Sequence, residues 1–166
     1  DWWAFYENLR AALSDIHSLR ITHRDLKPSN IILSEIGLKL IDFGIAQDSE
    51  ATSITTTGIV TGSPAWLSPE HLEGTELGPG SDLFAAGSIL VYAARGTSPW
   101  GNETTMTVPV AFQRILSLDL RLDGLNPEFE PAVRALLVSD ATSRRFIAQK
   151  EVATETPSED QHPGDD

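Results

Sequence analysis

The residues best able to do chemistry lie in one short stretch of the chain. The run HRDLKPSN occupies residues 23–30 and is soon followed by the tripeptide DFG. Asp25 is a candidate base, Lys27 is a candidate phosphate-binding cation, and Asn30 and Asp42 are candidate metal ligands. Phosphoryl transfer relies on positioning and charge neutralisation, and Mg²⁺ prefers hard oxygen donors. The set therefore points to transfer of a phosphoryl group.

This run and the DFG tripeptide resemble the catalytic loop and metal-binding turn of protein kinases. The resemblance implies that Asp25 accepts the proton of the substrate hydroxyl and that Lys27 contacts the transferring phosphate. It also implies that Asn30 and Asp42 hold Mg²⁺, and that Ile32 forms the floor of the adenine pocket for ATP. A lysine two positions after the aspartate is typical of the serine/threonine branch. The expected acceptors are therefore Ser and Thr hydroxyls of proteins.

The resemblance gives several neighbouring residues structural or regulatory roles. His23, Phe43 and Gly44 are expected to be structural, with His23 and Phe43 packed in an internal hydrophobic stack. Arg24 stands where the family uses an arginine to bind a phosphorylated activation loop. A guanidinium pairs with phosphate through two hydrogen bonds, so a phosphate bound there would order the loop.

Residues 48–62 are rich in Ser and Thr and poor in large apolar side chains, which predicts a mobile loop. Thr55 and Thr57 lie at the distance before Gly62 where bacterial kinases of this type carry activation-loop phosphothreonines. They are the predicted regulatory phosphorylation sites. The alternative is an unmodified polar loop, since Ser and Thr are common in loops.

The segment GSPAWLSPE is similar to the kinase segment that receives the peptide substrate. The resemblance implies that Ser63 bonds to the candidate base and lysine, and that Glu70 forms an ion pair with Arg144. Arg145 is the alternative partner, because the prolines that the family pattern places at positions 141 and 145 are missing. Asp82 is expected to tether the catalytic loop from below. As an acid at a helix N-terminus it also suits the helix dipole.

The elements that must position these residues can be read from apolar spacing. Apolar residues recur at helical intervals over 3–19, which predicts an amphipathic helix. Two β-type runs at 31–33 and 38–41 predict a small hairpin. Further helices are predicted at 82–94, 111–118 and 131–138. Two interpretations stay open for a group of aromatic side chains, an interaction surface or ordinary helix packing: Trp2, Trp3, Phe5 and Tyr6.

The resemblance predicts an α+β protein kinase-like fold. Residues 1–150 are expected to form its mainly α-helical C-lobe, with the small β-hairpin beside the catalytic loop, and 151–166 an acidic disordered tail. The Gly-rich loop, strand lysine and helix glutamate of an upper lobe are not found in the sequence. The expected partners are therefore a missing N-lobe or partner chain, besides the protein substrates.

Composition excludes several classes of function. The net charge of −12 disfavours nucleic acids and anionic membranes as partners. The chain has no Cys, which excludes disulfides and Cys-based zinc sites and fits a reducing compartment. Its apolar runs are too short to span a bilayer, and no signal peptide is visible. The expected location is cytoplasmic, which is compatible with a membrane-tethered parent protein.

The leading hypothesis is a serine/threonine protein kinase that is truncated here and weakly active or inactive alone. The alternative is a non-catalytic, kinase-derived module that docks protein partners through its peptide-binding segment. A small-molecule phosphotransferase comes third, because such enzymes usually lack DFG together with the SPE segment.

Overall fold

The computed structural model describes residues 1–44 and 63–151. Within these ranges the helices and strands follow one another in this order: α1 (Trp2–Ser18), β1 (Ile31–Ser34), β2 (Gly37–Leu40), α2 (Pro69–Glu73), α3 (Pro79–Arg95), α4 (Val108–Ser117) and α5 (Glu130–Arg134). Short 3₁₀ turns, each beginning at a proline, occur at Pro28–Asn30, Pro64–Trp66 and Pro127–Phe129. The predicted loop at 48–62, with Thr55 and Thr57, lies outside the described residues, as does the tail from 152 onwards.

Helix α1 confirms the helix predicted from apolar spacing at 3–19, and it ends at Ser18. Asp1 caps it, because the aspartate side chain accepts a hydrogen bond from the Trp3 N–H at 3.0 Å. The buried residues of α1 recur three or four positions apart, at Trp3, Tyr6, Leu9 and Leu13. This stripe packs into the hydrophobic core, so α1 forms one wall of the fold.

The aromatic residues at the start of α1 pack within the fold. Trp2 stacks on Phe129 with ring centroids 4.0 Å apart, and Trp3 and Tyr6 are buried. The Tyr6 hydroxyl donates to the Ile147 carbonyl at 2.9 Å and accepts from the Ile147 N–H at 2.8 Å. Burial raises the pKa of Tyr6 to about 12, so the phenol stays protonated at physiological pH. Of the two interpretations left open by the sequence, the structure favours helix packing.

Strands β1 and β2 form the predicted antiparallel hairpin, with Ile31 opposite Leu40 and Ser34 opposite Gly37. Gly37 has φ +123°, a conformation that glycine adopts without steric cost. The pairing extends one residue beyond the strands, because the Ile41 N–H donates to the Asn30 carbonyl at 3.0 Å. The hairpin therefore brings the chain just before β1 next to the chain just after β2.

Helix α3 is the central helix of the core. Its residues from Ser81 to Val91 are nearly all buried, and Phe84 stacks on the buried Trp100 at a centroid distance of 5.5 Å. The Trp100 indole N–H donates to Ser88 Oγ at 3.1 Å, so the polar edge of the ring is satisfied. The predicted helix at 82–94 is confirmed and begins earlier, with Pro79 in its first turn.

The helix predicted at 131–138 is shorter than expected. Helix α5 ends at Arg134, and two carbonyls beyond its end accept hydrogen bonds from Arg144 and Arg145. The Ala135 carbonyl accepts from the Arg145 N–H at 3.2 Å, and the Val138 carbonyl accepts from Arg144 Nε at 2.8 Å. The helix predicted at 111–118 begins earlier, at Val108, and ends at Ser117.

Gly87 of α3 provides a test of core packing. A Cβ at this position would lie 2.8 Å from Leu137 Cγ and 3.0 Å from Leu136 Cβ. We expect Gly87→Ala to lower the free energy of unfolding by about 1–3 kcal/mol through overpacking, although alanine favours helices. Gly78→Ala is the control, since its Cβ meets open space and its cost should be about 0.5 kcal/mol. Equal losses in urea titrations of the two variants would contradict this packing.

Candidate active site

The candidate base, Asp25, lies among the side chains that the sequence motif predicts around it. Lys27 Nζ is 3.1 Å from Asp25 Oδ2. Asn30 Nδ2 donates to the Asp25 carbonyl at 2.9 Å and lies 3.4 Å from Oδ2. The Asp25 side chain is 35% exposed, so its carboxylate is both paired with Lys27 and partly open to solvent.

Asp82, in the first turn of α3, supports the backbone of the candidate catalytic loop, residues 23–30. Its Oδ2 accepts from the His23 N–H at 2.8 Å and its Oδ1 accepts from the Arg24 N–H at 2.9 Å. Oδ2 also lies 2.8 Å from Nε2 of His17 on α1. Asp82 is 1% exposed, and its charge also lies at the positive end of the α3 dipole. Asp82 therefore makes both kinds of contact considered for it from the sequence, with the loop backbone and with the helix N-terminus.

His23 lies in the interior. Its ring is packed 4.7 Å from the Phe43 ring, and its Nε2 lies 2.8 Å from the Ile41 carbonyl. Because a carbonyl only accepts, Nε2 carries the proton and Nδ1 accepts from the Asp25 N–H at 3.3 Å. With both ring nitrogens bonded inside the fold, His23 has a structural position.

Every backbone polar group from His23 to Asp25 has a hydrogen-bond partner. The N–H groups of His23, Arg24 and Asp25 donate to Asp82 Oδ2, Asp82 Oδ1 and His23 Nδ1. Their carbonyls accept from Gly44 N, His71 Nε2 and Asn30 Nδ2, in the same order. Arg24 has φ +68°, a left-handed conformation that costs a non-glycine residue about 1–2 kcal/mol. These hydrogen bonds therefore hold a loop conformation that the isolated chain would disfavour.

Gly44 lies against this loop, where a side chain would fit only if its neighbours moved by a few tenths of an ångström. A Cβ there would be 3.2 Å from the His23 carbonyl oxygen and 3.3 Å from Arg24 Cβ. The neighbouring Asp42 has φ +52°. The turn after β2 thus packs closely against the candidate catalytic loop at Gly44, the last residue of DFG.

The hairpin brings the two candidate metal ligands to the same end. Asn30 directly precedes β1, and Asp42 follows Ile41, whose N–H is bonded to Asn30. Asn30 uses its amide nitrogen on Asp25, which leaves the amide oxygen for another partner. An amide oxygen and an exposed carboxylate suit Mg²⁺, which takes one or two protein carboxylates together with phosphate oxygens and water. Ile32, the predicted adenine floor, is 44% exposed on β1.

The predicted substrate segment begins with Ser63, which caps the 3₁₀ turn Pro64–Trp66. Ser63 Oγ accepts from the Ala65 N–H at 3.3 Å. Trp66 packs edge-to-face on Tyr92 of α3, with ring centroids 5.4 Å apart. The expected bonds from Ser63 to Asp25 and Lys27 stay a prediction.

Arg144 joins the end of this segment to the core. Its Nη2 lies 2.6 Å from Glu70 Oε1 and its Nη1 lies 2.9 Å from Glu70 Oε2. The guanidinium also stacks over the Phe84 ring, 4.7 Å from its centroid. Arg144 makes the ion pair with Glu70, whereas Arg145, the alternative partner, is exposed.

The Glu70 carboxylate makes stability dependent on acid. Burial acts to raise its pKa, but hydrogen bonds from Arg144, Ser68 and Ser81 outweigh burial and hold the pKa below its ordinary value of 4.5. A carboxyl whose pKa is lower in the folded state stabilises the fold above pH 4.5, and this contribution is lost as pH falls through the folded pKa.

We therefore expect the free energy of unfolding to fall as the pH is lowered below 4.5, and Glu70→Gln to flatten that slope. Urea titrations at several pH values measure it. Glu73→Gln, which removes an exposed carboxylate from the same helix, is the control and should leave the slope unchanged. An unchanged slope in Glu70→Gln would contradict the prediction.

Comparison with known proteins identifies the family to which the chain belongs. A sequence model described as the protein kinase domain matches residues 3–158. The chain belongs to the protein kinase family. This kinase domain contains mainly helices and one small two-stranded sheet in the part of the chain that the structure describes.

Its relatives are bacterial serine/threonine kinases. The kinase domain is 39% identical over 134 residues to the serine/threonine-protein kinase AfsK of Streptomyces coelicolor, an overlap that covers 80% of the chain and 16% of AfsK. It is 35% identical over 138 residues to the serine/threonine-protein kinase PknL of Mycobacterium tuberculosis, covering 80% and 33%. It is 44% identical over 88 residues to the probable serine/threonine-protein kinase PkwA of Thermomonospora curvata, covering 53% and 12%.

These matches identify a Hanks-type serine/threonine kinase sequence, as the motifs predicted. The chain spans between 12% and 33% of the length of these relatives. Among the described residues, no helix is long and apolar enough to cross a membrane.

Two histidines of this kinase domain were missed by reasoning from the sequence. His17 on α1 binds Asp82, and His71 on α2 binds the Arg24 carbonyl at 3.0 Å. Neither belongs to the eight-residue run or to DFG, and a lone histidine on a helix carries no signal of its partner. The one available hint for His71 was its place directly after the SPE residues.

Proposed function

We propose that this chain is the mainly helical C-lobe of a serine/threonine protein kinase domain, and that the protein transfers the γ-phosphate of ATP to Ser or Thr hydroxyls of other proteins. The observation that carries the proposal is the arrangement around Asp25. A partly exposed carboxylate is paired with Lys27 Nζ at 3.1 Å, on a loop whose backbone from His23 to Asp25 is fully hydrogen-bonded.

In the proposed reaction the acceptor hydroxyl oxygen attacks the γ-phosphorus of ATP. The bond from that phosphorus to the β–γ bridging oxygen breaks, and ADP leaves with the electron pair. Asp25 takes the hydroxyl proton, since its carboxylate faces solvent at the site. Lys27 places a positive charge beside Asp25, where the transferring group must pass.

Asn30 and Asp42 are the proposed holders of Mg²⁺, which when bound neutralises charge on the phosphates. The two residues lie at one end of the hairpin, and Asn30 bonds to Asp25 there. Ile32 gives the same end an exposed apolar side chain that suits an adenine ring. Because ATP is the donor, the cytoplasm is the proposed place of action.

The hairpin also suits a protein partner. Leu33 and Ile36, on the same hairpin as Ile32, are 68% and 84% exposed. Apolar side chains this exposed favour coverage by another protein surface. The proposed cover is the nucleotide-binding upper lobe of a kinase domain, carried by the same protein or by a partner chain.

Two regulatory proposals concern residues 48–62, which precede the substrate segment in the sequence. Thr55 and Thr57 are the proposed phosphorylation sites, and Arg24 is the proposed partner of the phosphate. Support comes from the position of Arg24 directly before Asp25, on a loop fastened to the core through Asp82. A phosphate bound to Arg24 would then be anchored to the same rigid loop as the base.

The test is incorporation of labelled phosphate from Mg²⁺-ATP into a generic basic protein by the whole protein. We expect Asp25→Asn to lower the rate by about 10²–10⁴-fold, the contribution of a general base. Asp15→Asn on the exposed face of α1 is the control and should retain the rate. Equal incorporation by wild type and Asp25→Asn would reject phosphotransfer through Asp25.

A further inference from the structure

We propose that His71 is a positioning residue that fixes the peptide unit directly before Asp25. This inference rests on the proposed phosphotransfer, in which Asp25 is the base. His71 lies in α2, outside the catalytic-loop and DFG motifs, yet its ring bridges α2 and the catalytic loop.

The contacts of His71 assign the proton on its ring. Nε2 lies 3.0 Å from the Arg24 carbonyl oxygen. A carbonyl only accepts, so Nε2 carries the hydrogen. Nδ1 then accepts from Ser68, whose N–H is at 3.1 Å and whose Oγ is at 2.8 Å. One imidazole thus joins the N-cap of α2 to the catalytic loop.

The peptide unit between Arg24 and Asp25 is held at both ends. Its carbonyl accepts from His71 Nε2 at 3.0 Å, and its N–H donates to His23 Nδ1 at 3.3 Å. A peptide unit is planar and rigid, so two opposed bonds fix its rotation about the chain. Arg24 is in the left-handed conformation, and this unit would relax without such bonds. Its rotation would carry the Asp25 carboxylate with it.

His71 also fixes the position of the proposed base, Asp25, relative to the proposed peptide-binding segment. Its partner Ser68 and its neighbour Glu70 belong to the end of that segment, and Glu70 is held by Arg144. The imidazole therefore couples the surface proposed to receive the acceptor to the loop that carries the base. A misplacement of about 1 Å in such a pair can lower a rate by about 10²-fold.

Two amide variants test the two hydrogen-bonding nitrogens of the imidazole separately. The longer side chain of His71→Gln can put an amide N–H where Nε2–H lies, which keeps the bond to Arg24. The shorter side chain of His71→Asn can put its oxygen near the Nδ1 position, which keeps Ser68 satisfied but cannot reach Arg24. We expect His71→Asn to lower kcat of the whole protein about 10–100-fold with KM for ATP unchanged, and His71→Gln to restore most of it.

A second measurement does not depend on activity. In ¹⁵N NMR spectra of this chain, we expect the wild-type His71 ring to be protonated at Nε2. The Asp25 amide should shift and exchange faster with water in His71→Asn, and return towards wild type in His71→Gln. Glu73→Gln, an exposed change on the same helix, is the control in both measurements.

The outcomes separate the two proposals. If wild type and Asp25→Asn incorporate phosphate equally, the proposed function fails, and the NMR spectra alone still decide the role of His71. The positioning role of His71 would be overturned by a wild-type ring protonated at Nδ1 and not at Nε2, or by an unshifted Asp25 amide in a folded His71→Asn. A rise in KM for ATP with kcat unchanged would also overturn it, because the change would then act on nucleotide binding.

Discussion

Replacing Arg144 with methionine is expected to lower the free energy of unfolding by about 3–5 kcal/mol, the range for breaking a buried ion pair. All five N–H groups of the guanidinium donate hydrogen bonds, two to the Glu70 carboxylate and one each to the carbonyls of Gly80, Val138 and Ser139. The side chain is fully buried and Glu70 is 12% exposed. Methionine fills similar space but removes the N–H donors of the guanidinium, so that Glu70 keeps only its hydroxyl donors and three carbonyls lose a hydrogen bond.

The adjacent arginine is a matched control. Arg145 is exposed, so Arg145→Met should change stability by about 0.5 kcal/mol or less. Adding Glu70→Gln to Arg144→Met removes the uncompensated charge, and the double variant should lose less than the sum of the single losses by about 1 kcal/mol or more. Urea titrations of wild type, the three single variants and the double variant measure these losses. Additive losses, or similar losses at 144 and 145, would contradict the buried pair.

Replacing Asp82 with asparagine is expected to lower the free energy of unfolding by about 4 kcal/mol, since hydrogen bonds to a charged group contribute about 1.5–3 kcal/mol each. The two carboxylate oxygens accept from the N–H groups of His23 and Arg24 and meet Nε2 of His17. An asparagine turns its NH₂ group towards one of these donors. The loss should fall on the catalytic loop first, because that loop conformation depends on these bonds.

Asp15→Asn, on the exposed face of α1, is the control and should change stability by about 0.5 kcal/mol or less. Amide hydrogen exchange distinguishes a local effect from a global one. The amides of His23 and Arg24 should exchange faster in Asp82→Asn than the decrease in global stability accounts for. Unchanged protection of both amides would show that Asp82 does not hold the loop.

The parts of the fold that depend on neighbours in sequence were predictable. The apolar spacing of α1 and the two short runs around Gly37 predicted the first helix and the hairpin, because both elements bury one face. The motif placed Asp25, Lys27 and Asn30 on one loop because their spacing alone keeps them close.

The features that depend on distant partners were not predictable. Nothing near residue 135 indicates that Arg144 and Arg145 donate to the carbonyls of Ala135 and Val138, just beyond the end of α5. The link from His71 to Arg24 joins residues 47 positions apart through one ring. Each follows from how helices pack, which apolar periodicity within a segment does not record.

The hydrogen bonds between Tyr6 and Ile147 have a consequence for the protein during its synthesis. These residues are 141 positions apart, and a ribosome adding about 5–20 residues per second needs on the order of ten seconds to travel between them. Trp2 likewise cannot stack on Phe129 until that residue has been synthesised. Throughout that interval the aromatic side of α1 has emerged without its native cover, so the nascent chain presents a natural binding site for chaperones before the kinase domain is complete.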